Sequence, residues 1–190
     1  MRSSRFSCLP AKIALLLLAL LYGMQAGADQ NDPRLSDLFR QLHDASDPAA
    51  AAPIEDAIWR IWLHHDDPHA QQLMMRGVGQ LNAGDLPAAL ATFTELVKLT
   101  PDFAEAWNKR ATVYYLMENY AASERDIQQT LKLEPLHFGA LSGRGLVKLG
   151  QRDLIGARNA FNAVLEVYPA MTGVQRDLDQ LNQLLKRNSI

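Results

Sequence analysis

Cysteine is nearly missing from this sequence: Cys8 stands alone among 190 residues. One thiol excludes a disulfide framework and any cysteine-based zinc finger. Neither sign of charge dominates, with 19 basic residues against 21 acidic ones, so there is no basic surplus to grip a phosphate backbone. Nucleic acid is therefore not expected as a partner. Long apolar runs are also lacking, since the longest, Ile13 to Tyr22, is ten residues and too short to span a hydrocarbon core as a helix. The chain has no glycine-rich phosphate loop, no Gly-x-Ser-x-Gly elbow and no carboxylate pair placed by a motif. No catalytic residue and no cofactor is expected. What remains, at 48% hydrophobic and 21% charged, is the balance of a folded globular chain, which argues against wholesale disorder.

The N-terminus reads as an address. Arg2, Arg5 and Lys12 precede the apolar run, and Ala26-Gly27-Ala28 follows it, with a cut expected before Asp29. That is the order of charged, apolar and small-residue regions in a secretory leader, so residues 1–28 are read as a signal peptide and the chain as exported. The rival is an uncleaved anchor, the only case in which a membrane would be a partner. Cutting after Ala28 leaves 162 residues with 16 basic and 21 acidic groups and no thiol, so the mature part must fold on packing alone.

A period of 34 residues decides the fold class. Segments starting at Ala70, Ala104 and Phe138 match position by position. Leu73, Trp107 and Leu141 are large; Gly77, Ala111 and Gly145, a turn later, are small. Asp85, Asn119 and Asp153 lie at the bend, where such side chains cap a second helix. Ala89, Ser123 and Ala157 are small again, Phe93, Ile127 and Phe161 large, and Pro101, Pro135 and Pro169 stop the second helix. These residues resemble the tetratricopeptide repeat, whose helix–turn–helix unit carries large, small, small, large and proline in that order. The expectation is an all-α solenoid with repeats at 70–103, 104–137 and 138–171. Gln80 and Lys148 depart from the family's tyrosine, which only Tyr114 supplies.

The flanks read as ends for this array, because each repeat buries apolar surface only against its neighbours. Leu35, Leu38, Phe39 and Leu42 fall on one helical face, and Ile54, Ile58, Trp59, Ile61 and Trp62 form a second stripe. Residues 29–69 are thus expected to be a degenerate repeat, a helical-hairpin cap stacked in front of repeat one. Val174, Leu178, Leu181 and Leu185 make 172–190 a C-terminal capping helix.

In this family the first helix of each repeat lines a concave surface. Carried onto this register, the resemblance implies a groove of Met74, Met75, Val78, Asn108, Lys109, Thr112, Tyr115, Ser142 and Leu146, with Leu149 at the back and Gly139 and Gly143 leaving room. The implied partner is a peptide or helix segment of another protein. The family's carboxylate clamp is absent, because Met74, Val78, Lys109, Gly139 and Gly143 stand at its positions. The stretch from Glu105 to Gly145 also resembles exported proteobacterial repeat proteins, which implies a Gram-negative periplasmic home for an adaptor or assembly factor.

Two features lie outside the family pattern. Arg76, Arg110 and Arg144 recur at a position where leucine is usual. They are read either as structural, each paired with a carboxylate such as Asp85, Asp126 or Asp153, or as an anion stripe for an acidic partner. His64, His65 and His69, with Asp66 and Asp67 between them, offer metal-ligating chemistry, and a metal-handling protein is the alternative function. No fixed ligand spacing supports it, and Asp, Pro and His are ordinary turn residues, so the segment is read as a loop without a metal.

Overall fold

The computed structural model describes residues 30–188. The leader expected over 1–28 lies outside them. The described residues form α1 (Leu35–Asp44), α2 (Pro48–Trp62), α3 (Pro68–Asn82), α4 (Leu86–Leu99), α5 (Ala104–Leu116), α6 (Tyr120–Leu133), α7 (Phe138–Gly150), α8 (Leu154–Val167) and α9 (Thr172–Asn188). None of these helices is long and apolar enough to cross a membrane.

From α3 to α8 the helices pair as three antiparallel hairpins, each packed on the next, and α9 lies along α8. Local chemistry places the boundaries. Asp85, Asn119 and Asp153 each accept a backbone N–H three residues on, from Ala88, Ala122 and Gly156. At the bend just before them, Gly84, Glu118 and Arg152 all take positive φ, at 76°, 58° and 61°. Only the first copy has the residue that adopts this conformation without strain. Within the first and third hairpins a ring enters the space left by a small residue. A Cβ on Gly77 would lie 2.6 Å from the Phe93 ring, and one on Gly145 would run into Phe161.

The N-terminal hairpin is not where the sequence placed it. It does not stack in front of repeat one as a degenerate repeat. It folds back against repeat three, and Leu35, Phe39, Leu42, Ile58, Ile61 and Trp62 share a core with Phe138, Phe161, Tyr168, Val174 and Leu181. Trp62 stacks flat on His137, with centroids 3.9 Å apart and 9° between planes, and Trp59 meets Phe138 edge-on. Glu55 ties the middle of α2 down, accepting from Trp59 Nε1 at 3.2 Å and from the Tyr168 hydroxyl at 3.0 Å. Burial, with Glu55 beside it, pushes the Tyr168 hydroxyl up to about 12. His43 Nδ1 approaches the Glu166 carbonyl at 3.1 Å, holding α1 near the end of α8. The hairpin is thus a strap along the edge where successive repeats join. The physical reason is area. The joint of repeats two and three offers Phe138, Tyr168 and Ala170 as apolar surface, whereas repeat one closes its own front with Leu73, Met74 and Phe93.

Candidate functional site

The first helices of the repeats, α3, α5 and α7, bring together part of the expected groove. Asn108, Thr112 and Tyr115 of α5 and Ser142 and Leu146 of α7 line one cavity of about 190 Å³, with Ala111, Ser123, Ile127, Gly139, Gly143 and Met171 completing its wall. No lining residue carries a charge. Asn108 is 6% exposed. Its Nδ2 donates to Glu105 Oε2 at 2.8 Å, and that orientation is forced because a carboxylate can only accept. Asn108 Oδ1 and the second Nδ2 hydrogen have no hydrogen-bond partner among the described residues, and the residue lines the cavity. Thr112 Oγ1 donates to the Asn108 carbonyl and Ser123 Oγ to that of Ala111, so these hydroxyls present their methyl or methylene side and not a free donor.

Four expected groove residues lie elsewhere. Met74 is 1% exposed and belongs to the core of repeats one and two, because α3 turns it toward Phe93 and Leu96. Met75, one residue on, is 67% exposed and lines no cavity. Val78 packs on the edge of the same core. Lys109 is held at 2.9 Å by Glu105 Oε1 and lies under the Trp59 ring, 5.1 Å from its centroid, so the strap withdraws it from the groove. Trp59 also occupies the space beside Gly139, where an added Cβ would lie 2.7 Å from it. The strap therefore covers two of the positions at which the family's clamp would stand. Its part in shaping the groove was not visible in the sequence, where Trp59 and Trp62 read only as a stripe; Met171 gave no signal at all.

Beneath the strap lies a buried acid. Glu105 accepts from His137 Nε2 at 2.9 Å as well as from Asn108, with Lys109 on its other oxygen. His137 Nδ1 accepts the Ala140 N–H, capping α7, which leaves Nε2 as the protonated nitrogen. Burial alone would push the Glu105 carboxyl up, but Lys109 and His137 outweigh it and hold the group at about 2.

The arginines are paired. Arg110 makes two hydrogen bonds to Asp126, at 2.7 and 2.9 Å, and lies over Trp107. Arg76 bonds Glu95 at 3.1 Å, and Arg144 Nε is 3.2 Å from Glu124. Asp126 was an expected partner; Asp85 and Asp153 were not found in that role, because both serve as helix caps. In the His64–His69 segment, His64 faces Asp66 at 3.2 Å, His65 Nδ1 accepts the Asp67 N–H, and the Asp67 carboxylate caps α3. Among the described residues no three His, Cys, Asp or Glu side chains converge on a point that could hold a metal.

With this geometry in view, comparison with known proteins is informative. The family model described as "Tetratricopeptide repeat" matches residues 74–116 and 108–172. A "TPR repeat-containing protein" of Rhizobium etli is 35% identical over 82% of this chain and 76% of its own length. The Saccharomyces cerevisiae "Small glutamine-rich tetratricopeptide repeat-containing protein 2" is 23% identical over 63% of this chain, which spans only 35% of that protein. Among solved structures, the first repeat domain of Spaghetti (RPAP3), bound to the HSP90 peptide SRMEEVD, aligns with a TM-score of 0.61 at 23% identity, covering 64% of this chain and 96% of that one. The Sgt2 repeat domain from Aspergillus fumigatus aligns with the same TM-score at 18% identity, over 64% of this chain and 82% of that one. At these identities the structural likeness speaks to fold.

Proposed function

Since the chain belongs to the tetratricopeptide repeat family, a family of interaction scaffolds, we propose that it is an exported, non-catalytic adaptor or assembly factor that captures a segment of another protein in the groove between α5 and α7. One observation carries this: Asn108, Thr112, Tyr115, Ser142 and Leu146, chosen by register alone, line a single cavity. Peptide complexes of similar folds support the mode of binding. The mechanism is capture on a preformed surface with little backbone movement. Export is supported by the charged, apolar and small-residue order of residues 1–28, and a Gram-negative periplasm by the resemblance of the stretch from Glu105 to Gly145 to exported proteobacterial repeat proteins.

The test is affinity capture from a cell-envelope extract, using the protein and its Tyr115→Glu variant, the two shown to melt alike. A protein retained by the first and lost with the second supports the groove. Equal recovery overturns it. N-terminal sequencing of the product in a fractionated Gram-negative host checks the address. A start at Asp29 in the periplasmic fraction is expected, and an intact leader in the membrane fraction would replace release with anchoring.

A further inference from the structure

Resting on that reading of the groove, we propose that its cavity is a pocket for one uncharged apolar side chain of the partner segment, of leucine to phenylalanine size. Asn108 Oδ1 accepts a backbone N–H of the same segment, and Gly143 keeps the pocket open.

The first argument is charge. No ionised group lines the cavity, and the cations nearest to it are committed: Lys109 to Glu105, Arg110 to Asp126 and Arg144 to Glu124. An acidic side chain entering here would lose its water and meet no counter-charge. A basic one fares no better, because no carboxylate lines the cavity and Glu105 already faces His137, Asn108 and Lys109. The second argument is size. The cavity holds about 190 Å³. An apolar cavity of roughly 150 Å³ accommodates benzene, so the space suits one apolar side chain and not a bundle of them.

The third argument is Gly143. It sits inside α7, where glycine is a poor helix former. Its neighbours on that helix are glycine for reasons of packing. A Cβ on Gly139 would strike Trp59, and one on Gly145 would strike Phe161. Gly143 has no such reason, because its Cβ would meet only Ile127 Cδ1 at an ordinary 3.7 Å. Gly79 and Gly173 are equally unconstrained, but neither lines the cavity. The fold would be better served by alanine at 143; the open space is served by glycine. Asn108 is the independent fourth observation. It is buried, one of its two amide hydrogens is held by Glu105, and its oxygen has no hydrogen-bond partner among the described residues. A buried amide oxygen at the wall of a cavity is a built acceptor.

The route of the partner follows. Trp59 closes the cavity at Gly139, whereas Leu146 continues into a second cavity of about 360 Å³, bounded by Leu149, Leu181 and Leu184 and by the polar Asp177, Gln180 and Arg187. The segment therefore leaves the pocket toward α9.

The test immobilises the full chain on a sensor and screens a positional-scanning array of N-acetylated, C-amidated octapeptides against it and against Gly143→Leu, Gly143→Ala and Tyr115→Glu. The expected result is selection of an apolar residue at one position and no gain from Asp or Glu at that position. Gly143→Leu should melt no lower than the original and weaken binding at least tenfold. If it does melt lower, Gly143→Ala decides, with a higher melting temperature and at least threefold weaker binding expected. Selection of no apolar residue at any position, selection of a charged residue at the position that Gly143→Leu or Gly143→Ala weakens, or binding by the deciding Gly143 variant within twofold of the original, overturns the pocket. If binding in that case is still lost with Tyr115→Glu, the groove survives without it. Peptides that bind regardless of all three variants, or no binding by any peptide in the array, remove both.

Discussion

In the first and third repeats a large ring is met by a small residue on the partner helix of the same hairpin, Phe93 by Gly77 and Phe161 by Gly145. In the N-terminal hairpin, Trp59 and Trp62 touch each other and Phe39, but Trp59 finds its small residue, Gly139, and Trp62 its stacked ring, His137, only across the fold. Both regions are amphipathic helices joined by short turns. The array is held by contacts repeated at one spacing, so each unit specifies its own packing and its neighbour's. The hairpin has no second copy to specify it. Its partner surface exists only once repeats two and three have formed. The difference teaches that a terminal hairpin beside a solenoid need not extend it, and that its destination is set by where unmatched apolar area remains.

That contrast can be broken most sharply at Trp62. Trp62→Ala deletes a fully buried ring from the strap side and should cost about 4 kcal/mol. Hydrogen exchange should show protection lost over 35–62 and kept over 104–133. Equal loss in both would mean that strap and array unfold as one unit. Next is Arg110, wholly inside the array. The sequence by itself suggests that Arg110→Leu is cheap and Arg110→Ala dear. Because Asp126 is only 5% exposed, the structure instead expects both to strand a buried carboxylate, at about 3 kcal/mol each. A urea series should recover most of the loss in Arg110→Leu combined with Asp126→Leu. Recovery absent from that double variant would show that Arg110 acts through its stem and not its charge.

Acid tests the junction of the two regions. Glu105 is held at about 2 against an ordinary 4.5, so the folded chain binds fewer protons than the unfolded one between those values. Its contribution, on the order of 3 kcal/mol, is intact above pH 4.5 and is lost as the pH falls toward 2. Urea midpoints should drop across that window, and less steeply in Glu105→Gln. Identical slopes would remove Glu105 from the account of acid sensitivity. The smallest effect is expected at a bend of the array. Glu118→Gly places glycine at a φ of 58°, as repeat one already does at Gly84, and should stabilise by about 0.5 kcal/mol. A lower melting temperature would mean that unfolded-chain entropy outweighs relief of the bend.

Much of the fold was legible because its determinants are local and repeated. A spacing of 34 needs no tertiary knowledge, and Asp85, Asn119 and Asp153 cap their helices by chemistry within three residues. Half of the groove was legible for the same reason. Asn108, Thr112, Tyr115, Ser142 and Leu146 follow from the family resemblance carried onto this register, although Met74, at the same position of repeat one as Asn108, is buried in the core instead. Lys109 has the same claim by register and still left the groove, because Glu105 and Trp59 hold it, and Trp59 arrives from a segment with no register. Met74 and Met75 are adjacent and apolar, and their opposite fates, one core and one exposed, depend on how α3 is rotated against α4.

The sequence by itself therefore determined the helix count, the bends, the repeat family and the line of residues along the first helices, because short-range physics acts on neighbours in the chain. Tertiary structure alone decided where the strap lies, which cation it covers and which ones the second helices neutralise, and so why the open part of the groove is uncharged. Those outcomes turn on apolar area and counter-charges supplied by residues distant in sequence, and no local pattern encodes which of several exposed faces an aperiodic hairpin will cover.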